Sequence, residues 1–439
     1  MFKSKTLSVV LITTLILAAC GGGNGNAPTA NSGSPASGGS TNGQPGNNTT
    51  TGTPPNQTVS TPVYATDSDF KQAFFSDLNS VRSQWGISLL AQNVDLDNAA
   101  MAHAHYLGVN LTAAEEAEVD PTTNLLYAHS ENPALSGFTG ATPQQRAGAT
   151  GYMGSVGEVG NVDPAGSSPL PSTVTLGHTY FGALMNTVYH RDILMNDCLR
   201  DIGIGYASPS ELVVELGVVG SPTPLPANLT YTYPIDGATN IFPLFNPLGE
   251  LPNPLPASSG LVGAPISFAV GTTHKLVVTT FTLVDNLKNT VPVQLIDAAN
   301  DQRQNSDGPN IAVIVPLAKL NLGTKYTAMF TGTADGTMVN KTFTFTTLPA
   351  VINGPAQSTY TITSGAGITI PFLAPSGVNS ISIDSYSGGQ ISNLQYAPNG
   401  TGITITSVTV SSPATLTFAL SDAIYPDVPT KTVTIIINP

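Results

Sequence analysis

Apolar positions follow two different periods along the chain. In the first half they recur at three- and four-residue spacing. Phe70, Phe74, Leu78, Val81 and Trp85 predict one helix, capped by Asp67 or Ser68 and ended by Gly86. After an extended piece with Leu89 and Leu90, Asp97 is a candidate cap for a second helix burying Ala100, Ala104 and Leu107. Thr142-Pro143-Gln144-Gln145 reads as a helix start, with threonine as cap, proline in the first turn and glutamine completing a capping box. Tyr180, Leu184 and Val188 mark a further helix, followed by a turn carrying His190-Arg191. The pattern then changes to alternation: Ile202, Ile204 and Tyr206 make one strand, and Val213, Val214, Leu216 and Val218 the next. The Ser208-Pro209-Ser210 turn between them predicts an antiparallel hairpin.

Beyond a Pro-rich linker after Gly220, alternation takes over entirely. PISFAV, KLVVTTFTLVD, VPVQLID, NIAVIVP, KYTAMFTGTA and VNKTFTFTT are short strands separated by Gly, Asn and Pro. LTYTYPIDGATNIFP, which precedes them, resembles the opening of a bacterial Ig-like domain. Leu320 to Tyr326 resembles a tyrosine corner, whose hydroxyl ties a loop to its own backbone. A second linker, Pro349 to Gly354, introduces TYTITS, ITIPFLAP, SISIDSY, ITITSVTV, ATLTFAL and TVTIIIN. These readings give a β-sandwich over 229–348 and another over 355–439.

The N-terminus indicates a compartment. Lys3 and Lys5 precede an apolar core, Leu7–Leu17, too short to cross a bilayer as a helix and suited to a signal peptide. Leu17-Ala18-Ala19-Cys20 resembles a bacterial lipobox, which implies a signal peptide over 1–19 and lipid on Cys20. Several acyl chains would anchor the chain stably, since each buried methylene contributes about 0.8 kcal/mol. Gly21 after the cysteine favours the outer membrane over the inner. Gly21 to Thr61 contains no charge and hardly an apolar side chain, so it reads as a tether with a span of about 35 Å. The lipidated cysteine and tether together occupy 20–63.

Composition narrows the partners. The net charge is −13, and Tyr64–Val219 carries 5 basic and 17 acidic side chains, a difference of −12. Nucleic acid and anionic head groups are poor partners for such a surface. Charged residues make up only 9%, which suits extracellular β-rich modules better than a cytosolic enzyme. Of two cysteines, Cys20 is assigned to lipid, leaving Cys198 as a lone, small buried residue. The acidic stretch Glu115, Glu116, Glu118 and Asp120 reads as a solvated charge run.

The runs LNSVRSQWGISLLAQNVDLDNAAMAHAHYL, YAHSENPALSGFTGATPQQRAGATGYMGSVGEVG and LGHTYFGALMNTVYHRDILMNDCLRDIGIGYA stand in order across Phe70 to Val219. Together they resemble the bacterial CAP domain of the cysteine-rich secretory protein and pathogenesis-related-1 family. The resemblance implies a CAP αβα sandwich over 64–219, which with the strand patterns beyond it makes an α+β chain, that sandwich followed by two all-β (Ig-like) sandwiches. It also implies a cleft lined by His129, Glu158 and His190. Two imidazoles and a carboxylate suit a divalent cation such as Zn²⁺, and the same groups can move protons. The chain departs from the family where a second acid is expected: the helix before His190 offers only Gly182, Asn186 and Thr187, with Glu131 a displaced substitute. His103, among alanines, reads as a structural histidine bonded to a backbone carbonyl, and His105 as surface. No nucleophile elbow or HExxH helix is present. The functional expectation is therefore a lipid-anchored envelope protein whose cleft binds a ligand, divalent cation or partner, the β modules serving as spacers or adhesion units. A metal-dependent envelope hydrolase and a purely structural or adhesive protein are the alternatives.

Overall fold

The computed structural model describes residues 10–13, 64, 69–162, 173–207, 211–220, 224–258, 260–301, 309–399 and 402–439. Cys20 and the tether lie outside them. The first module comprises β1 (Val10–Thr13), α1 (Asp69–Trp85), β2 (Ala91–Gln92), α2 (Val94–Asn110), α3 (Ala113–Glu116), α4 (Pro143–Thr150), β3 (Ser155–Val162), α5 (Thr173–Met185), α6 (Tyr189–Met195), β4 (Asp201–Ala207) and β5 (Glu211–Val218). After β6 (Thr230–Tyr233) and β7 (Ala238–Ile241), the short β8 (Glu250–Leu251) returns to the first sheet, whose order is β2-β4-β5-β3-β1-β8.

Helices cover both faces of this sheet. Along β5, Leu212, Val214 and Leu216 join one core with residues of α1, α5 and α6, while Val213 joins another with Ala100, Ala104 and Leu107 of α2. Two glycines of β4 explain the close seating of α2. A Cβ on Gly203 would lie 2.1 Å from the Leu96 carbonyl carbon, and one on Gly205 2.2 Å from that of Ala100. The alternating Gly of DIGIGYA thus lets a helix backbone rest on the strand.

Helix α1 has the predicted span, with Phe70, Phe74, Leu78 and Trp85 buried and Gly86 at φ 72° ending it. Helix α2 starts earlier than expected. Asn93 is its cap, accepting from the Asp95 and Leu96 amides, while the half-buried Asp97 accepts from Tyr64, Gln92 and the Ile204 amide. His190 and Arg191 lie inside a second short helix, α6, rather than in a turn. The hairpin of β4 and β5 is antiparallel as read, pairing Asp201 with Gly217 through Ala207 with Glu211. The acidic stretch is only partly solvated, since Glu116 is fully buried.

The second module continues with β9 (Ile266–Val270), β10 (Leu276–Val284), β11 (Thr290–Val291), β12 (Val293–Asp297), β13 (Ile311–Pro316), β14 (Lys325–Ala334) and β15 (Thr337–Thr347). Its sheets, β11-β10-β14-β15-β7 and β12-β13-β9-β6, enclose Phe268, Phe330, Phe343 and Phe345. The Tyr326 hydroxyl accepts from the Asn321 amide at 2.8 Å, the tie expected of the corner motif. The third module consists of β16 (Thr359–Thr363), β17 (Ile368–Pro371), β18 (Asn379–Gly388), β19 (Ile391–Asn399), β20 (Gly402–Val410), β21 (Ala414–Asp422) and β22 (Lys431–Asn438). These form sheets β16-β22-β21-β18 and β17-β20-β19 around their own core. Strand β19 was not expected, because Asn393 at φ 53° and two register shifts against β20 break its alternation.

The first linker does not separate two cores. One apolar cluster runs from Phe74, Trp85 and Leu194 into Tyr231, Ala269 and Val313. Trp85 Nε1 donates to the Thr232 carbonyl at 2.8 Å. Arg191 Nη1 donates to the Pro265 carbonyl at 2.8 Å and to Ser267 Oγ at 3.0 Å. The first two modules are one packed body. Cys198 is buried, as expected of a small apolar side chain, and its sulfur lies 2.9 Å from Thr272 Oγ1 of the second module.

Candidate functional site

The Thr142 cap accepts from the Gln145 amide, and Gln145 Oε1 accepts in return from the Ala141 amide, which fixes the start of α4. Arg146, one residue on, thereby points into the protein and is fully buried. Its Nη2 donates to Glu158 Oε2 at 2.5 Å, and its Nη1 to the His129 carbonyl at 3.2 Å. Its Nε lies 3.8 Å from Glu215 Oε1 and 4.0 Å from Glu131 Oε1. One guanidinium therefore serves three carboxylates.

Two histidines close the cluster. His129 Nδ1 is 2.7 Å from Glu158 Oε1, and its Nε2 has no hydrogen-bond partner among the described residues. His103 Nε2 is 2.8 Å from the Ala128 carbonyl, the backbone bond expected of it, and its Nδ1 is 3.0 Å from Glu131 Oε1. His103, His129, Glu131, Arg146, Glu158 and Glu215 are all 1% exposed or less, so the cluster is a sealed polar core rather than an open cleft.

Electrostatics divides the acids. Burial would raise the Glu158 carboxyl, but the charge of Arg146, then of His103 and His129, outweighs it and holds Glu158 far below the usual carboxylate range. Glu215 stands directly opposite Glu158 in the β3–β5 register. Burial, followed by the Glu158 charge, holds its carboxyl well above that range. The two facing carboxyl groups are thus shifted in opposite directions, Glu158 down and Glu215 up. Burial also lowers His129, against the opposing pull of Glu158.

His190 has a different carboxylate. Its Nδ1 is 3.2 Å from Glu250 Oε1, and the same carboxylate accepts from the Val188 amide at 2.9 Å and the Tyr189 amide at 2.7 Å. Glu250 comes from β8 of the second module and is fully buried. Along β3, Val159 joins the core containing α1, α5 and α6, whereas Glu158, the preceding residue, turns to the opposite face with Arg146 of α4. The convergence expected of His129, Glu158 and His190 is thus replaced by two His–Glu pairs.

This arrangement does not suit a cation. Glu158 has one oxygen on His129 and the other on Arg146, and the His190 Nδ1 is taken by Glu250. Among the described residues no group of three or more His, Cys, Asp or Glu is placed to hold a metal ion. The Zn²⁺ seat expected on His129, Glu158 and His190 therefore does not fit the geometry. Sequence reading missed Arg146, Glu215 and Glu250. The signal for Glu215 was present: an acid inside the apolar run ELVVELGV, in a strand buried on both faces, requires a partner.

The described residues are mostly β-structured. No protein-family model and no curated protein matches it. Among solved structures it is similar to the zebrafish RET cadherin-like domains, at 11% identity over 54% of this chain and 56% of that one, with a TM-score of 0.25. A titin Ig tandem matches at 12% identity over 40% and 86%, with a TM-score of 0.16. An endo-fucoidan hydrolase of glycoside hydrolase family 107 matches at 10% identity and a TM-score of 0.22. The matched region covers 54% of this chain and only 37% of that hydrolase. Among the described residues no helix is long and apolar enough to cross a membrane.

Proposed function

We propose that the protein is a lipid-anchored cell-envelope binding protein. Its first module, which resembles a CAP domain, recognises a ligand or partner, the tether after Cys20 holds that module clear of the membrane, and the β modules beyond it serve as spacers or adhesion units. The observation that carries the binding reading is the His129–Glu158 pair, which a ligand reaches only when the sealed cluster opens. A carboxylate fixes the imidazole through Nδ1 at 2.7 Å, while the buried Nε2 has no partner among the described residues. An orphaned buried nitrogen is costly, and completing its hydrogen bond is one use for it. The metal-dependent hydrolase reading draws no support from the donor set described above.

The anchoring part rests on Leu17-Ala18-Ala19-Cys20 and on the uncharged segment that follows. The chain has two cysteines, so a lipid on Cys20 takes up one of the two sulfurs. Fractionation of cells expressing the wild type and Cys20→Ser tests the anchor, together with a thiol count on the native protein. Release of the variant from carbonate-washed membranes, with one free thiol in the native protein, supports lipidation. Retention of the variant, or a native protein with no free thiol, overturns it.

A further inference from the structure

The edge of β3 carries an observation that the proposed function does not use. Val10–Thr13, within the apolar core of the predicted signal peptide, occupies a place between β3 and β8. It pairs antiparallel with Val159 to Val162 and parallel with Glu250 and Leu251. Once residues 1–19 are removed, β3 becomes an edge strand with its outer N–H and C=O groups unpaired.

Natural edges are blunted by lysine, proline, a bulge or brevity. Strand β3 has none of these. It reads Ser-Val-Gly-Glu-Val-Gly-Asn-Val, and it pairs with β5 over eight consecutive residues without a register shift. Its one charge, Glu158, is turned inward to Arg146 and His129. Val159 is buried with Val10–Thr13 paired beside it, so loss of that segment opens an edge next to an apolar core residue.

We infer that this edge is a strand-addition site for an extended apolar peptide, and that the leader fills it before processing. The inference rests on the proposed removal of residues 1–19. The occupant's class follows from the segment seated there: Val-Leu-Ile-Thr, uncharged and rich in β-branched side chains. Adjacent strands lie about 4.8 Å apart, so a single strand spans the space between β3 and β8. Its backbone would pass between the strands that supply the two glutamates, since Thr13 pairs with Val159, next to Glu158, and Leu11 pairs with Glu250. Successive side chains of such a peptide alternate between the α2–α4 face and the α6 face. Main-chain pairing then gives affinity, and the two faces give selectivity, as in other cases of β-strand addition.

The test uses two chains, residues 1–439 and 21–439, and a dye-labelled peptide of residues 8–14. Intact mass of the native protein first establishes whether residues 1–19 are removed, which tests the leader reading separately. Fluorescence anisotropy should show saturable binding to the 21–439 chain and at least tenfold weaker binding to the 1–439 chain. N-methylation of alternate peptide amides, in one of the two phases, should weaken binding at least tenfold. Hydrogen exchange should show new protection within Val159–Val162, the residues that the segment pairs with. Absence of binding, indifference to both methylation phases, or protection confined to other strands overturns the site. So does a 21–439 chain that pairs β3 to β3 as a dimer and excludes the peptide.

Discussion

His190 Nδ1 lies 3.2 Å from Glu250 Oε1, although the two residues stand 60 positions apart and belong to different modules. The same carboxylate accepts the Val188 and Tyr189 amides, so one side chain closes the start of α6 and orients its histidine. The carboxylate beside His190 therefore comes from the second module.

Removing that carboxylate should uncap α6 and leave buried amides unpaired. Hydrogen bonds to a charged group contribute about 1.5–3 kcal/mol each, and their losses overlap within one network. Glu250→Ala should therefore destabilise the protein by about 3 kcal/mol in denaturant unfolding, and Glu250→Gln by less, because the amide oxygen still accepts. Equal stability of Glu250→Ala and wild type would remove Glu250 from this role.

The shared core predicts how truncation behaves. Trp85, the chain's single tryptophan, is buried and donates to the Thr232 carbonyl, with the Tyr231 ring centroid 5.7 Å away. A fragment ending at Val219 exposes this ring together with Leu194 and the Arg191 guanidinium. It should show red-shifted tryptophan emission and a lower melting temperature than a fragment ending at Leu348. A 64–219 fragment with unshifted emission and undiminished stability would show that the two modules fold independently.

The Arg146 hub makes a further prediction. Glu158→Gln leaves a fully buried guanidinium without its closest charge partner, and breaking a buried ion pair costs about 3–5 kcal/mol. The loss should be smaller in the background Arg146→Met, since removing both partners leaves no uncompensated charge. A double-mutant cycle with a coupling energy near zero would show that the pair does not act as a unit.

Much of the scaffold was legible, because it depends on short-range pattern. Helix α1 followed from Phe70, Phe74, Leu78 and Trp85, and the β modules from alternation punctuated by Gly, Asn and Pro. Of His129, Glu158 and His190, expected in one cleft, the first two lie together, on either side in sequence of the well-signalled helix α4. What could not be read was long-range. Glu250 sits in Pro247-Leu248-Gly249-Glu250 with no local feature linking it to His190. Asn93 displaced Asp97 as the cap of α2 because Tyr64 and Ile204, remote in sequence, claim the Asp97 carboxylate. The continuity of the first core with the second module was hidden by the Pro-rich linker, whose composition indicates a connection but not how its flanks pack.

The last prediction concerns pH. Glu116 is fully buried, neither carboxyl oxygen has a hydrogen-bond partner among the described residues, and burial, with help from the Glu211 charge, raises its pKa to about 8. An unfolded glutamate titrates near pH 4.3, so between about 4.3 and 8 the native state holds a proton that the unfolded state has released. Stability from this group is complete below about pH 4.3 and is lost as pH rises toward 8. Glu116→Gln mimics the protonated side chain at every pH. The variant should therefore match wild type near pH 4 and exceed it by a few kcal/mol at pH 8.5, measured by urea unfolding at both values. Glu158 acts in the opposite sense. Its depressed pKa gives stability that is present above about pH 4.3 and lost in stronger acid, so Glu116→Gln should leave the acid limb unchanged. A stability difference between variant and wild type that is the same at pH 4 and pH 8.5 would mean that Glu116 does not hold its proton in the folded protein.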